Sequence, residues 1–278
     1  MPALQQRFSV QVFETQFSSH AIQLSEEAVA MGFEIILSAG GDGTLNQVVN
    51  GMLKTSSSQL PSLGIIPLGS GNDFAAMMGV SGRPDQLINL LKANKPLPVD
   101  VGKIHCFNQE GAPIERHFIN VCSLGMGPAT VTRLERLPRW LCAGLRYYVS
   151  VINTFLTHTK EEFEVLTSQW KWSGKARVVA IANGISFGNK IYIAPEAKPD
   201  DGIFSTFIAT DMALLKFLYV LQMAKGRKKV MDKSIHYSEA TELTISSPNP
   251  AMIETEGELV GWLPARIDVL KGRIQFLK

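Results

Sequence analysis

Cysteine is scarce in this chain. Cys106, Cys122 and Cys142 are the full complement and stand at no metal-ligand spacing, which argues against a disulfide framework and for a reducing cytoplasm. Surplus charge is scarce too: 27 Lys and Arg against 25 Asp and Glu give a net charge of +2, too little for a dedicated nucleic-acid binder. Lys225-Gly226-Arg227-Lys228-Lys229 is the dense basic cluster, so any electrostatic partner is met locally. No apolar run reads as a membrane span, because the most hydrophobic stretch, Ile203 to Ala224, contains Asp211 and Lys216 and divides into a strand and a helix. Gln5, Gln6 and Arg7 interrupt anything like an apolar leader, so no signal peptide is expected. The pattern of a Walker lysine is missing, which excludes a P-loop. What is present is a hydrophobic content of 45% over 278 residues, ample for two domains with a core in each.

The chain is organised around Ser38-Ala39-Gly40-Gly41-Asp42-Gly43-Thr44-Leu45-Asn46. Phe33 to Leu37 read as a buried strand, and Leu45, Val48, Val49 and Met52 fall on one face of a helix, with Thr44 as its cap. Gly40, Gly41 and Gly43 let a ligand approach the main chain, and the helix N-terminus favours an anion, so the turn suits a phosphate. Asp42 beside a phosphate points to Mg²⁺ or to proton transfer; the plain alternative is a tight turn in which Asp42 bonds its own backbone. A second turn, Pro67-Leu68-Gly69-Ser70-Gly71-Asn72-Asp73-Phe74-Ala75, follows the strand Leu63 to Pro67 after the polar loop 54–61. Ser70 and Asn72 offer neutral hydrogen bonds there, and Asp73 reads as the cap of a following helix.

Before these turns, Arg7 to Phe13 alternates like a short strand and Ala21 to Met31 like an amphipathic helix stopped by Gly32. Strands alternating with helices predict a parallel sheet flanked by helices. From about Leu97 the texture changes to short segments, among them Arg116 to Cys122, Phe163 to Leu166, Ala176 to Asn183, Phe204 to Ala209, Glu242 to Ser246, Ala251 to Glu254, Arg266 to Leu270 and Arg273 to Phe276. These predict an antiparallel β-sandwich. The domains expected are 1–96 and 97–278, with a cleft between them and one helical interruption near 133–158. That stretch carries apolar residues with Arg133, Arg136, Arg139 and Arg146, which suits core packing or, less simply, docking on an anionic lipid surface.

Two acidic stretches lie in the second half. Ala194-Pro195-Glu196-Ala197-Lys198-Pro199-Asp200-Asp201-Gly202 is turn-forming. In Glu254-Thr255-Glu256-Gly257-Glu258, an extended backbone would project Glu256 and Glu258 to one side as a pair of carboxylates; the alternative is a solvated acidic loop.

Gly40-Gly41-Asp42-Gly43-Thr44 resembles the nucleotide-binding signature of the diacylglycerol kinase catalytic-domain family, which includes bacterial lipid kinases and sphingosine kinases. Gly69-Ser70-Gly71-Asn72-Asp73-Phe74-Ala75 resembles the family's second such motif, with Ser70 in place of threonine. The resemblance covers nearly everything from residue 8 to 276. It implies a doubly wound, Rossmann-like parallel-sheet domain followed by the β-sandwich. It also implies ATP held by Gly40, Gly41, Asp42, Gly43, Thr44, Gly69, Ser70, Asn72 and Asp73. Asp201 with the carbonyls of Lys198 and Ile203 would hold a structural Mg²⁺. Glu256 would stand where the family has its catalytic aspartate, and Asp42, Asp201 and Glu258 would assemble around Mg²⁺. Asn120 to Ala129 is similar to a segment on the acceptor side, in which an aspartate commonly stands at Gly127 or Pro128. The family's opening strand and its Asn-Pro-x-x-Gly turn do not precede Arg7, so an incomplete nucleotide domain is expected. The activity implied is ATP- and Mg-dependent phosphorylation of a hydroxyl on a diacylglycerol-like or sphingoid lipid. The partners are ATP and a lipid acceptor at a membrane surface, with transient peripheral contact from the cytoplasm to the inner leaflet and homodimerisation left open. The alternatives are a nucleotide-binding module without turnover and a kinase of a soluble metabolite such as NAD.

Overall fold

The structure, a computed structural model, describes residues 2–55, 59–138, 140 and 142–278. Serines 56–58 of the expected polar loop, and Arg139 and Leu141 of the expected helical interruption, lie outside the described residues. The first part contains α1 (Pro2–Gln5), α2 (His20–Ala30), β1 (Ile35–Gly40), α3 (Asp42–Lys54), β2 (Ser62–Pro67), α4 (Asp73–Met77) and α5 (Pro84–Ala93). β1 and β2 pair in parallel, with Ile36 beside Leu63 and Ala39 beside Ile66. The α3 stripe buries as its spacing predicts: Leu45, Val49 and Met52 are fully buried in one cluster with Leu63 and Ile65 of β2. Each such side chain stabilises the fold by about 1.5–3 kcal/mol.

The strand expected over Arg7 to Phe13 is not formed. Phe8 donates its N–H back to the Leu4 carbonyl at 2.9 Å, and Phe8 and Val10 rest on the cluster of Leu4, Leu87, Leu91 and Leu277. Alternating apolar residues become a strand only beside a free sheet edge; here Phe8 and Val10 are half-buried against α1, α5 and the end of the last strand, and Val12 stays exposed.

α2 and α3 approach so closely at Gly51 that a Cβ there would overlap Ser25 Oγ and the Ile22 carbonyl. Gly51→Ala is therefore expected to destabilise the fold by about 1–3 kcal/mol through overpacking, read as a lower urea midpoint with an unchanged slope.

The second part adds β3 (Pro96–Phe107), β4 (Pro113–Phe118), β5 (Val121–Gly125), α6 (Met126–Arg136), α7 (Ala143–Thr157), β6 (Glu161–Leu166), β7 (Lys171–Ala182) and β8 (Phe204–Thr210). It continues with α8 (Leu214–Met223), β9 (Ile235–Ala240), β10 (Glu242–Ser246), β11 (Met252–Thr255) and β12 (Glu258–Leu277). Within it the pairings are antiparallel, and the path from β12 through β10, β6, β7, β5 and β11 returns to β12. That closed path wraps the largest apolar cluster, which includes Phe118, Phe163 and Phe204. The chain is thus mixed α/β with a large antiparallel sheet, and among the described residues parallel pairing is confined to β1 with β2 and to Phe276 of β12 beside Leu63.

β12 is shared between the two halves. The expected segments Arg266 to Leu270 and Arg273 to Phe276 are one strand with a shift of register between Leu270 and Ile274, where Gly272 takes a positive φ of 58°. This irregularity bends the strand so that its end reaches β2, and Phe276 meets Phe74 edge to face at 5.2 Å. The expected segment Arg116 to Cys122 is two strands, β4 and β5, parted at Ile119 and Asn120. β9 was not anticipated; its burial does not alternate cleanly, and its pairing with β8 rather than its own pattern makes it a strand.

The single helix expected near 133–158 is two helices. α6 ends before Leu137, whose ψ of 143° is extended. Pro138 imposes this, because its ring disfavours helical backbone in the residue before it and it has no N–H to donate.

Candidate active site

β1 and β2 end side by side, so the two glycine turns leave the sheet together. The Leu68 N–H bonds the Gly40 carbonyl at 2.9 Å, and a Cβ on Gly69 would overlap the Gly41 Cα. Only glycine permits that contact. Gly41, rather than Thr44, occupies the N-cap of α3; Thr44 falls inside the first turn, with its side chain against Gly40, where a Cβ would overlap it.

The half-buried Asp42 carboxylate does not bond its own turn. Its Oδ2 accepts the Asp73 N–H at 3.0 Å and its Oδ1 the Phe74 N–H at 3.1 Å, so the first turn caps the helix that follows the second. Asp73 is consequently not the cap of α4. Its carboxylate accepts the Ser186 hydroxyl at 3.0 Å and the backbone N–H groups of Asn189 at 2.9 Å and Lys190 at 2.8 Å, tying the nucleotide-side turn to a loop of the second half. Asn72, at a φ of 55°, turns back on its own turn, accepting the Gly69 N–H at 3.0 Å and donating to the Gly69 carbonyl at 2.6 Å.

The acidic stretch at 254–258 is not extended. Glu256 and Gly257 have φ values of 47° and 87° and form the two-residue turn between β11 and β12 that positive φ at both positions defines. Glu256 and Glu258 therefore do not project side by side. Glu256 turns inward, and its Oε1 accepts the N–H groups of Asn120 at 2.8 Å and Val121 at 3.0 Å. Its Oε2 is buried with no hydrogen-bond partner among the described residues. Glu258 is bonded by the Gln47 amide of α3, with its Oε1 3.5 Å from where a Cβ on Gly43 would lie.

One cavity of about 430 Å³ gathers Gly41, Asp42, Gly43, Ser70, Asp73 and Glu256 at one end. Burial pushes the Glu256 carboxyl well above the usual range, against the lowering effect of the Asn120 and Val121 N–H groups, and the charges of Glu254 and Asp42 push the same way. Burial also raises Asp42, opposed by the two N–H groups it caps.

Glu254 joins this end of the cavity and was not singled out from the sequence. It is buried, accepts the Gly257 N–H at 2.6 Å and is bonded by the Ser123 hydroxyl, and burial outweighs both to push its pKa up to about 7. Its place two residues before Glu256 hid it, because in an extended segment both would share a face, and only the turn at 256–257 shows how each enters. Gly127 faces this carboxylate: a Cβ there would stand 3.2 Å from Glu254 Oε2.

The raised pKa has a sign. Between the ordinary value of 4.5 and about 7 the folded chain keeps a proton on Glu254 that the unfolded chain has lost, so stability falls as pH rises through that window and levels off above it. Glu254→Gln should remove its share of this fall, worth about 3 kcal/mol at most, and be the more stable protein above neutral pH. Urea midpoints measured across the window decide it; an unchanged profile in the variant would refute the assignment.

The expected metal set is divided by the fold. Asp201 is exposed in a turn and accepts the Ile203 N–H at 3.0 Å, while its carbonyl accepts the Lys271 ammonium at 3.2 Å. Asp201 does not line the cavity that holds Asp42, and neither does Glu258. Asp100 holds that turn down through the Gly202 and Gly272 N–H groups, both at 2.6 Å. Among the described residues no group of three or more His, Cys, Asp or Glu is placed to hold a metal ion. The basic cluster is also engaged: Lys225, Arg227 and Lys229 lie over the rings of Tyr148, Tyr192 and Tyr237 at 4.3, 5.1 and 5.5 Å. Among the described residues no helix is long and apolar enough to cross a membrane.

Two adjoining family models account for this arrangement: the diacylglycerol kinase catalytic domain over residues 2–104, and the YegS C-terminal NAD kinase beta sandwich-like domain over residues 120–278. The chain belongs to the diacylglycerol kinase catalytic-domain family of lipid kinases. Its relatives include "Probable lipid kinase YegS-like" of Yersinia enterocolitica, 27% identical over 90% of this chain and 80% of that one. Another is "Probable lipid kinase YegS" of Salmonella arizonae, 25% identical over the same shares. Among solved structures, a diacylglycerol kinase from Bacillus anthracis superposes with a TM-score of 0.72 at 22% identity, covering 100% of this chain and 88% of that one, which is a likeness of fold.

Proposed function

We propose that this protein transfers the γ-phosphoryl group of ATP, with Mg²⁺, to a hydroxyl of a diacylglycerol-like or sphingoid lipid. The observation that carries the reading is Glu256: a buried carboxyl with one oxygen pinned by two N–H groups and the other unpartnered among the described residues, at the junction of the two glycine turns and an apolar chamber. Once ionised, a pinned carboxyl with a raised pKa suits a proton acceptor for an alcohol, whose proton must leave as the oxygen attacks phosphorus. The touching glycine turns suit the nucleotide, since their main chain is open to phosphate oxygens.

Mg²⁺ in such sites is held by one or two carboxylates together with substrate phosphates and water. Asp42 and Glu258, which flank Gly43, fit that modest demand. Asp201 with the Lys198 and Ile203 carbonyls is a second candidate, and the Lys271 ammonium stands beside it on the Asp201 carbonyl at 3.2 Å. When bound, the ion would offset phosphate charge during transfer. The chain's own contribution is to align the nucleotide, exclude water and take the hydroxyl proton on Glu256.

The test is purified protein with ATP, Mg²⁺ and mixed micelles containing lipid alcohols. Phosphorylated lipid that disappears with EDTA is expected. Calorimetric ATP binding with no phosphorylated product from any acceptor would instead make the chain a nucleotide-binding module.

A further inference from the structure

Two acids meet at the turn between β11 and β12, and they are bonded differently. Glu256 keeps one oxygen without a partner among the described residues, whereas both oxygens of Glu254 are engaged within the chain. Oε1 of Glu254 accepts the Gly257 N–H at 2.6 Å, inside the turn itself, and its other oxygen takes the Ser123 hydroxyl. Ser123 stands opposite Glu254 in the pairing of β5 with β11. The same stretch of chain, at Asn120 and Val121, supplies the N–H groups that pin Glu256. Ser123 and Glu254 are both buried, where a bond made is strong and one left unmade is costly. The turn has need of such a hold. Glu256 sits at a φ of 47°, which is disfavoured for a residue with a side chain, and the glycine beside it adds freedom of its own. The Glu256 carbonyl also lies 3.4 Å from where a Cβ on Gly43 would stand, so any shift of this turn is a shift against the nucleotide turn.

Resting on the lipid-kinase reading, we propose that Glu254 is a positioning residue for phosphoryl transfer. Through the Gly257 N–H and the Ser123 hydroxyl it fixes the turn at 256–257, so that the unpartnered oxygen of Glu256 is held toward the acceptor hydroxyl. In the transfer the hydroxyl oxygen bonds to the γ-phosphorus of ATP and its proton passes to Glu256. The bond from the γ-phosphorus to the bridging oxygen breaks, and ADP leaves with that electron pair. Glu254 gives and takes no proton in this step. Without it the Gly257 N–H loses its acceptor and Glu256 is held only at the tip of its side chain, where a drift of about 1 Å costs about a hundredfold in rate.

The experiment compares the whole chain with Glu254→Ala, which removes the hold, Glu254→Gln, which keeps its shape and a carbonyl for the Gly257 N–H, and Ser123→Ala, which removes only the hydroxyl. Phosphorylation of lipid alcohols in mixed micelles with ATP and Mg²⁺ is measured at neutral pH. Each rate is divided by the number of ATP sites counted by calorimetry, so that unfolded protein is not scored as slow protein. In Glu254→Ala, kcat per site is expected to fall about a hundredfold, while the KM for ATP changes by less than about threefold, because Glu254 bonds neither glycine turn. Glu254→Gln should restore kcat to within about threefold of the parent, since the amide can make both bonds. Exchange of the Gly257 amide hydrogen, followed by NMR on the protein alone, should quicken about tenfold in Glu254→Ala and not in Glu254→Gln. Ser123→Ala should lose about tenfold in kcat per site, and it decides the matter where Glu254→Ala does not fold. An unchanged kcat per site in Glu254→Ala, or in Ser123→Ala where that variant stands in, would overturn the proposal and leave the kinase reading standing. So would unchanged exchange at Gly257, or a fall in Glu254→Gln as deep as in Glu254→Ala, which would make charge and not position the contribution of Glu254. ATP binding by the parent with no phosphorylation of any lipid would overturn the kinase reading and the positioning role with it.

Discussion

Glu256→Gln is expected to lower the rate of lipid phosphorylation about a hundred- to ten-thousandfold, the range that loss of a positioned general base costs, while ATP affinity and the fold are kept. The amide has the shape of the acid. Its carbonyl can still accept the Asn120 and Val121 N–H groups now held at 2.8 and 3.0 Å by Oε1, and its NH2 falls where Oε2 has no partner among the described residues. What is lost is the capacity to take a proton.

Stability moves the other way. Burial holds the Glu256 carboxyl well above its ordinary value, so the folded chain retains a proton there that the unfolded chain releases, and stability declines as pH rises above the unfolded value. Glutamine escapes that decline. A variant both less active and more resistant to urea at neutral pH is the signature of a site held at a cost to the fold, and a variant as active as the parent would remove Glu256 from the chemistry. Glu256→Asp is the informative companion. Shortening the side chain by a methylene withdraws the carboxyl by about 1 Å, enough to cost about a hundredfold if position matters.

Asp42→Ala should destabilise the protein by about 2–4 kcal/mol, because a charged acceptor is removed from two N–H groups that have no alternative in a short helix. The two bonds, at 3.0 and 3.1 Å to Asp73 and Phe74, hold the second glycine turn against the first. Asp42→Asn should lose about half as much, since its single carbonyl satisfies one N–H while its NH2 faces the other. If Asp42 also holds the nucleotide's cation, both variants should raise the KM for ATP well beyond what their stability loss explains at a temperature where both are folded. Urea midpoints together with ATP titrations separate the two roles. A normal KM in folded Asp42→Asn would leave Asp42 a purely structural residue.

The glycine turns, the α3 stripe and the run of short strands were legible because each is local. Gly40, Gly41 and Gly43 announce a close backbone approach, and Leu45, Val49 and Met52 repeat with the period of a helix. Pro138 was equally visible as a local signal, and the expectation of one helix across it gave insufficient weight to a residue that cannot continue a helix. The arrangement of acids was not legible, since it depends on contacts across the chain. Asp42 and Asp73 each read as serving their own turns, Asp73 as the cap of the next helix, and are bonded instead to groups 31 and more than 100 residues away. Glu254 became a member of the site only when the turn at Glu256 and Gly257 folded β11 back on β12 and Ser123 came alongside.

By itself, the order of residues determined the elements near the site and the class of chemistry: two glycine turns after apolar strands, then acids among short strands. The tertiary structure decided which acids meet. It left Asp201 in an exposed turn under Lys271, joined Glu254 to Glu256, and opened a hydrocarbon chamber behind them between helices that are far from the turns in sequence. The physical reason is that backbone conformation is set largely by neighbours along the chain. The surroundings of a carboxylate, and so its charge and its use, are set by whatever the sheet register and the packing of α6, α7 and α8 bring against it.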